Sequence, residues 1–361
     1  VKAAVLREGS VVTRETPDPV PGKGHLLLRV LSCAICASDL HFMDNPESVE
    51  GDESGFWDYR ADADIVMGHE FVGEVIGHGE GVDSGQFPIG VRVTALPILD
   101  YGGMTRIVGC SPDAPGGFGE LMLAQAALAR VVPADVPVDH AALADCFAVG
   151  EYYVRNSQID ASVIPIVIGA GAIGLSAVVA LARRSISPVI VADFSESRLA
   201  VAREVGATHT VDPRRQSPYD LWQELASGGV AEPIFSIDGA SAPVATPQCF
   251  VYEFVGMPGV LDGIVRDSPM RTHIFTAGGA PEGDHISSAV AKRKGTVIHF
   301  GGGPQREDWY GTLDAVLAGD LDPSPVIGMT VDLEGVPAAL ELARSGQGPA
   351  RIMIHPQERQ A

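Results

Sequence analysis

The first 150 residues carry short apolar, β-branched runs broken by glycine and proline, at 26–31, 71–76, 91–94 and 128–132. Runs of this length between turn-forming residues predict a β-rich domain of short strands. From residue 43 to 64 the pattern gives way to a polar, acidic stretch holding Gly51, Gly55, Phe56, Trp57 and Tyr59. A long loop in a compact domain is a common place for a functional lid. Past residue 150 the period changes. Apolar runs at 163–168 and 188–192 alternate with helix-like segments at 174–184 and 195–205, the second stopped by Gly206. Such alternation predicts a parallel sheet with right-handed crossovers. Pro165 falls within the first run and lacks a ladder donor, so it is expected to open the strand. Runs at 249–255, 273–276 and 296–300 continue the sheet, with 233–236 as a competing strand inside a Gly-, Pro- and Ala-rich insertion over 228–248. An amphipathic helix at 336–345 and a short strand at 351–354 close the chain, and no internal repeat appears.

Composition narrows the function classes. The 361 residues include 46 acidic and 25 basic side chains, a formal charge of −21. That balance argues against nucleic acid, whose phosphates call for Lys and Arg, and against an anionic membrane surface. No apolar run is long enough to span a bilayer, and the N-terminal residues lack signal-peptide architecture. Five scattered cysteines, Cys33, Cys36, Cys110, Cys146 and Cys249, do not form a disulfide framework. The expectation is a protein of the reducing cytoplasm that acts on a small molecule.

Two clusters carry chemistry. Gly169-Ala170-Gly171-Ala172-Ile173-Gly174 follows an apolar run and opens a helix, and Asp193 ends the next apolar run 19 residues after Gly174. The glycines permit a tight turn, close backbone approach to a pyrophosphate and close helix packing. The acid can bond ribose hydroxyls and repels a 2′-phosphate, which favours NAD over NADP. The second cluster is Cys36-Ala37-Ser38-Asp39-Leu40-His41 with Gly68-His69-Glu70. Thiolate and imidazole are zinc ligands, and a catalytic zinc keeps an open position. Asp39 is placed to fix the tautomer of His69, while Ser38 and His41 form a candidate proton relay. Cys33 and Cys36 form a CxxC that could equally be two buried thiols.

With Gly117-Phe118-Gly119-Glu120 added, these motifs in this order resemble the zinc-containing medium-chain dehydrogenase/reductases along nearly the whole chain. The resemblance implies an α/β chain with a GroES-like catalytic domain, residues 1–150 and 303–361, and a Rossmann domain, residues 151–302, with the active site in the cleft. It implies Cys36 and His69 as zinc ligands and a third ligand in the segment 143–150. Asp145 falls on that position, Cys146 stands beside it as a competitor, and Glu70 is expected behind the zinc or in transient contact with it. Many members carry a second, structural zinc on four cysteines, but residues 96–117 hold only Cys110, so one zinc per subunit is expected. By resemblance Arg198 flanks the adenosine, with a solvated helix charge as the equal alternative, and Arg351 reaches the pyrophosphate; Gly256, Gly278 and Gly279 end candidate strands of the cofactor domain and are expected to line the nicotinamide path. Phe56, Trp57, Phe147 and Tyr153 are weighed as pocket walls against simple core packing, and His140, His209, His273, His285, His299 and His355 are read as structural or exposed. The expected activity is NAD-linked oxidation of an alcohol, leaning to a bulky or secondary one, and reduction of its aldehyde or ketone. The expected assembly is a homodimer or dimer of dimers through the strand at 296–300. A zinc-free reductase of the same fold and a non-enzymatic binding protein are the alternatives.

Overall fold

The computed structural model describes residues 1–44, 58–60, 62–226, 247–279 and 283–358. Gly51, Gly55, Phe56 and Trp57 of the acidic stretch, and the competing strand at 233–236, lie outside the described residues. The chain divides into two compact units, Val1–Cys146 with Trp309–Ala361, and Phe147–Asp308.

The first unit is built around the strand His25–Ala34. Leu26, Leu28 and Val30 are buried on one face while Leu27 and Arg29 turn outward, the two-residue period of a half-buried strand. It pairs antiparallel with Glu70–His78, Leu121–Gln125 and Arg351–Ile354. The register sets Ala34 opposite both Glu70 and Met353. The start of Glu70–His78 and the last two residues of Arg351–Ile354 therefore meet the end of His25–Ala34, so Arg351 lies just past Ala34, where Cys36 follows. A separate sheet joins Ser10–Glu15, Lys2–Arg7 and Ile65–Val66. The 117–120 motif has a structural reason to exist. Gly117 and Phe118 donate backbone hydrogen bonds to Gly68 and Met67, and Glu120 accepts from the Lys2 N–H. Gly68, at φ +94, packs so closely on Phe118 and Cys33 that a side chain would collide, so the residue before His69 has to be glycine.

Where a four-cysteine zinc site would lie, the chain forms a hairpin, Ile98–Tyr101 with Met104–Ile107. Arg106, only 7% exposed, sits in charge contact with Asp113 at 3.4 Å and Asp58 at 3.7 Å. This ion-pair cluster lies beside the hairpin.

Among its described residues the second unit holds a six-stranded, wholly parallel sheet in the order His209–Val211, Ile190–Ala192, Val163–Ile168, Gln248–Glu253, His273–Thr276, Val297–Phe300. The strand order reverses between Val163–Ile168 and Gln248–Glu253, the switch point at which doubly wound sheets bind ligands. Pro165 does not open its strand; it is the third residue. The Ser162 and Ile168 carbonyls accept from Gln248 and Phe254, whereas the Gly169 N–H donates to Ala192 on the other side. By alternation Pro165 faces the Ile190–Ala192 side, one residue before the first pair there, Ile166 with Ile190. No ladder donor is lost. The helix Ala172–Arg183 buries Leu175, Val178 and Leu181, the 3–4 spacing of a core-facing helix. Among the described residues no helix is long and apolar enough to cross a membrane.

Candidate active site

In the first unit, the Cys36 thiol, a His69 ring nitrogen and a Glu70 carboxylate oxygen all lie within 4.8 Å of one another, the one such group among the described residues. Cys36 leads into the helix Ala37–Asp44. Asp39, in its first turn, accepts from the Cys36 N–H at 2.9 Å and stands 3.4 Å from His69 Nδ1. The Ser38 hydroxyl lies 3.2 Å from His69 Nε2. His41, three residues further along the helix, is exposed.

Arg351 lies behind this group. Its guanidinium donates to Glu70 Oε1 at 2.7 Å and to the Ile35 carbonyl at 2.6 Å, with the two side chains 3% and 1% exposed. Within the first unit, two donors of Arg351 thus serve a buried carboxylate and a backbone carbonyl, a role the sequence did not suggest. Burial opposes the Cys36 thiolate, but Arg351 and His69 outweigh it and bring the thiol down to about 6. Burial pushes the Glu70 carboxyl up to about 8 against the pull of Arg351. Burial also works against a charged His69, yet the Asp39 carboxylate and Cys36 raise it well above its ordinary value. A thiol, an imidazole and carboxyl groups thus crowd one partly to fully buried place.

Zinc fits this set. Cys sulfur, His nitrogen and carboxylate oxygen are its common donors, and Glu70 Oε2 is a buried acceptor with no hydrogen-bond partner. A bare acceptor of that kind is costly unless something meets it, and a cation would. Asp145 and Cys146, the third-ligand candidates from sequence, are not in the mutually close group. Both begin the helix Ala144–Ser157. Asp145 Oδ1 accepts from Trp309 Nε1 at 2.9 Å, and burial raises its carboxyl to about 6 while His69 draws it down. Cys146 is wholly buried, its thiol pushed up to about 12 by burial with Arg351 as its partner. Cys33 packs against Gly68 and Gly117 as a buried thiol.

In the second unit, Gly169 takes φ +95 and Gly174 packs so tightly on the Gly169 carbonyl that a side chain would collide. Gly171 caps the helix Ala172–Arg183 with no side-chain hydrogen bond, and a Cβ on it would meet nothing within 4 Å. Ala172 and Ile173 form the first helical turn, so an uncapped helix N-terminus faces open space, the setting that accepts a pyrophosphate. Asp193 Oδ2 accepts from the Ala170 N–H at 2.7 Å and Oδ1 from the Ser195 N–H at 2.8 Å. Each oxygen retains a lone pair for a ribose hydroxyl. Arg198 lies in the first turn of the next helix, Glu196–Glu204, its N–H 3.4 Å from Ser195 Oγ. Gly256, Gly278 and Gly279 come together: a Cβ on Gly256 would stand 3.0 Å from both of the others. Phe147 and Tyr153 are core residues, 2% and 4% exposed, with Tyr153 edge-on to Phe254.

Three contributors went unread from sequence. Arg351 was assigned elsewhere, although a charge opening the strand Arg351–Ile354, buried at every position, requires a buried partner. Trp309 gave no signal, because its link to Asp145 spans 164 residues. Glu253 ends an apolar strand as its only charge, a cue that was available.

Residues 22–136 match the alcohol dehydrogenase GroES-like domain. An uncharacterized zinc-type alcohol dehydrogenase-like protein of Haemophilus influenzae is 27% identical over 295 residues, 76% of this chain and 80% of that one. The L-threonine 3-dehydrogenase of Bacillus subtilis is 27% identical over 373 residues, 98% of both chains. The crystal structure of 2R,3R-butanediol dehydrogenase from Bacillus subtilis shares the fold, with a TM-score of 0.78 over 99% of both chains at 22% identity. Together these matches support the resemblance to the zinc-containing medium-chain dehydrogenase/reductases.

Proposed function

We propose that this chain is a zinc-dependent dehydrogenase that interconverts an alcohol and its carbonyl compound with NAD. The observation that carries the reading is the convergence of Cys36, His69 and Glu70. Cys36 and His69 hold the metal, and the unpartnered Oε2 favours Glu70 as the third ligand. Asp145, the position the family pattern favours, has one oxygen engaged by Trp309 and stands beside the metal as an oriented carboxylate. This makes one zinc per chain.

When bound, zinc supplies a Lewis acid at the substrate oxygen, and NAD supplies the hydride acceptor. The remaining tasks fall to the chain. Ser38 takes the proton from the substrate hydroxyl, and His41, exposed on the same helix, delivers it to solvent. Asp39 orients His69 through Nδ1, and Arg351 holds Glu70 in place. The 169–174 turn seats the pyrophosphate. Asp193 takes the adenosine ribose and its charge opposes a 2′-phosphate. The substrate is a bulky or secondary alcohol. The exposed edge strand Val297–Phe300, with Phe300 72% exposed, pairs with that of a second copy to give a homodimer or a dimer of dimers. Five free cysteines fit a cytoplasmic protein.

The test is NAD reduction by purified protein against a panel of primary, secondary and vicinal alcohols, before and after metal removal by a chelator. Turnover that is lost with the metal and restored by zinc is expected. Turnover indifferent to the metal, or none with any alcohol in zinc-replete protein, would contradict the proposal.

A further inference from the structure

We propose that Glu253 is the positioning residue for the nicotinamide half of the dinucleotide, a role that rests on the cofactor reading above. Glu253 ends the strand Gln248–Glu253 at the switch point and is 2% exposed. Its carboxylate is fully engaged. Oε1 accepts from the Val255 and Gly256 N–H groups at 2.7 and 2.8 Å, and Oε2 accepts from the Thr276 hydroxyl at 2.6 Å. Thr276 ends the neighbouring strand, His273–Thr276. One side chain thus ties together the exits of two adjacent strands on the ligand-binding edge of the sheet.

Those exits touch. Gly256 takes φ +67, and a Cβ on Gly278 would collide with the Glu253 carboxylate and the Gly256 backbone. Val255 in turn lies against the glycine turn, where a Cβ on Gly169 would stand 2.9 Å from Val255 Cγ2. Glu253 therefore fixes a continuous floor from Gly169 to Gly278. Asp193 marks the adenosine end, beyond the strand Ile190–Ala192. A dinucleotide crossing the switch point must lay its other half over the ends of Gln248–Glu253 and His273–Thr276. Glu253 sits directly beneath that half. A buried acid is a costly way to join two strands. Its three donors all come from the loop and strand end that would bound the ring, which ties the acid to the shape of that surface.

The test compares NADH with ADP-ribose, which lacks the nicotinamide, by fluorescence titration and calorimetry on the full, zinc-replete chain. Glu253→Ala should weaken NADH by about tenfold, the loss of a charged hydrogen-bond acceptor, and ADP-ribose by no more than about twofold. Glu253→Gln should restore most of the loss, because its amide oxygen still accepts both N–H groups. Thr276→Val, which removes only the Oε2 partner, should act in the same direction by about threefold and serves where the alanine variant fails to fold. Equal loss of both ligands, or no loss of NADH in any variant, would overturn the proposal. Wild-type protein that binds neither ligand would overturn the cofactor reading and this proposal with it.

Discussion

The two candidate sites are built on opposite plans. The glycine-turn site is made of backbone from one local stretch, residues 169–174, completed by Asp193. The metal site is made of side chains from distant stretches: Cys36, His69, Glu70, Asp145 and Arg351. Backbone geometry follows from local sequence, so the first site tolerates change in most side chains. A cluster of buried charges depends on each partner, because an ionised group left alone in a low-dielectric interior loses its compensation. The difference implies that single substitutions should be far more damaging in the metal site than around the turn.

The largest effect tests that directly. A Cys36→Ala, His69→Ala double variant should lose zinc and cut turnover by about three orders of magnitude or more, as removal of several kcal/mol of Lewis-acid stabilisation requires. Elemental analysis beside steady-state kinetics checks it; full zinc retention would refute the assignment of both residues. Next comes the charge behind the site. Arg351→Met should destabilise the fold by about 3–5 kcal/mol, because Glu70 is left buried without its partner. Adding Glu70→Gln should recover much of that loss in denaturant titrations, and failure to recover would mean that Arg351 acts through packing alone.

Replacing Asp193 in the backbone-built site should be milder. Asp193→Gly should shift the NAD to NADP preference by about tenfold, roughly 1.4 kcal/mol, without abolishing binding. A wild-type enzyme that prefers NADP would contradict the role given to Asp193.

The smallest effect lies away from both sites, in the first unit. His355 bonds Asp139 at 2.7 Å, and Ser32 donates to the same carboxylate oxygen at 2.6 Å. The Asp139 hydrogen bond raises His355 above its ordinary 6.5 against burial. Burial would raise Asp139, but His355 and Ser32 outweigh it and lower the carboxyl below 3.8. The histidine contribution is whole below pH 6.5 and fades as pH rises through its folded value. The aspartate contribution is whole above 3.8 and fades as pH falls. The pair should therefore add most between about pH 4 and 6.5, and, being partly exposed, only about 0.5–1 kcal/mol. His355→Gln should lower the melting temperature most within that window and soften its fall on either side; an unchanged pH profile would remove the pair from the account.

The same contrast explains what was legible in the sequence. Strands 163–168, 273–276 and 351–354 were placed to the residue, because buried parallel strands and short apolar runs declare themselves. Pro165 misled, since the cost of a proline depends on which neighbour its nitrogen faces, and only register reveals that. The glycine turn was readable whole. In the candidate metal site the donor-bearing residues Cys36, His69, Glu70, Asp145 and Cys146 were readable, but Trp309 and Arg351, which engage Asp145 and Glu70, were not, because they come from chain segments far away. Family pattern pointed Arg351 to the cofactor, whereas the antiparallel pairing of Arg351–Ile354 with His25–Ala34 delivers it to Glu70.

The central claim is a single metal held by one thiolate, one imidazole and carboxylate oxygen. Zinc-edge X-ray absorption on the purified wild-type protein, paired with metal quantification, tests it most directly. The account predicts about one zinc per chain, with one sulfur at about 2.3 Å and the remaining ligands nitrogen or oxygen near 2.0–2.2 Å. Two sulfurs on the metal would bring Cys146 into the site in place of a carboxylate, and two zincs per chain, or none, would contradict the single-site account outright.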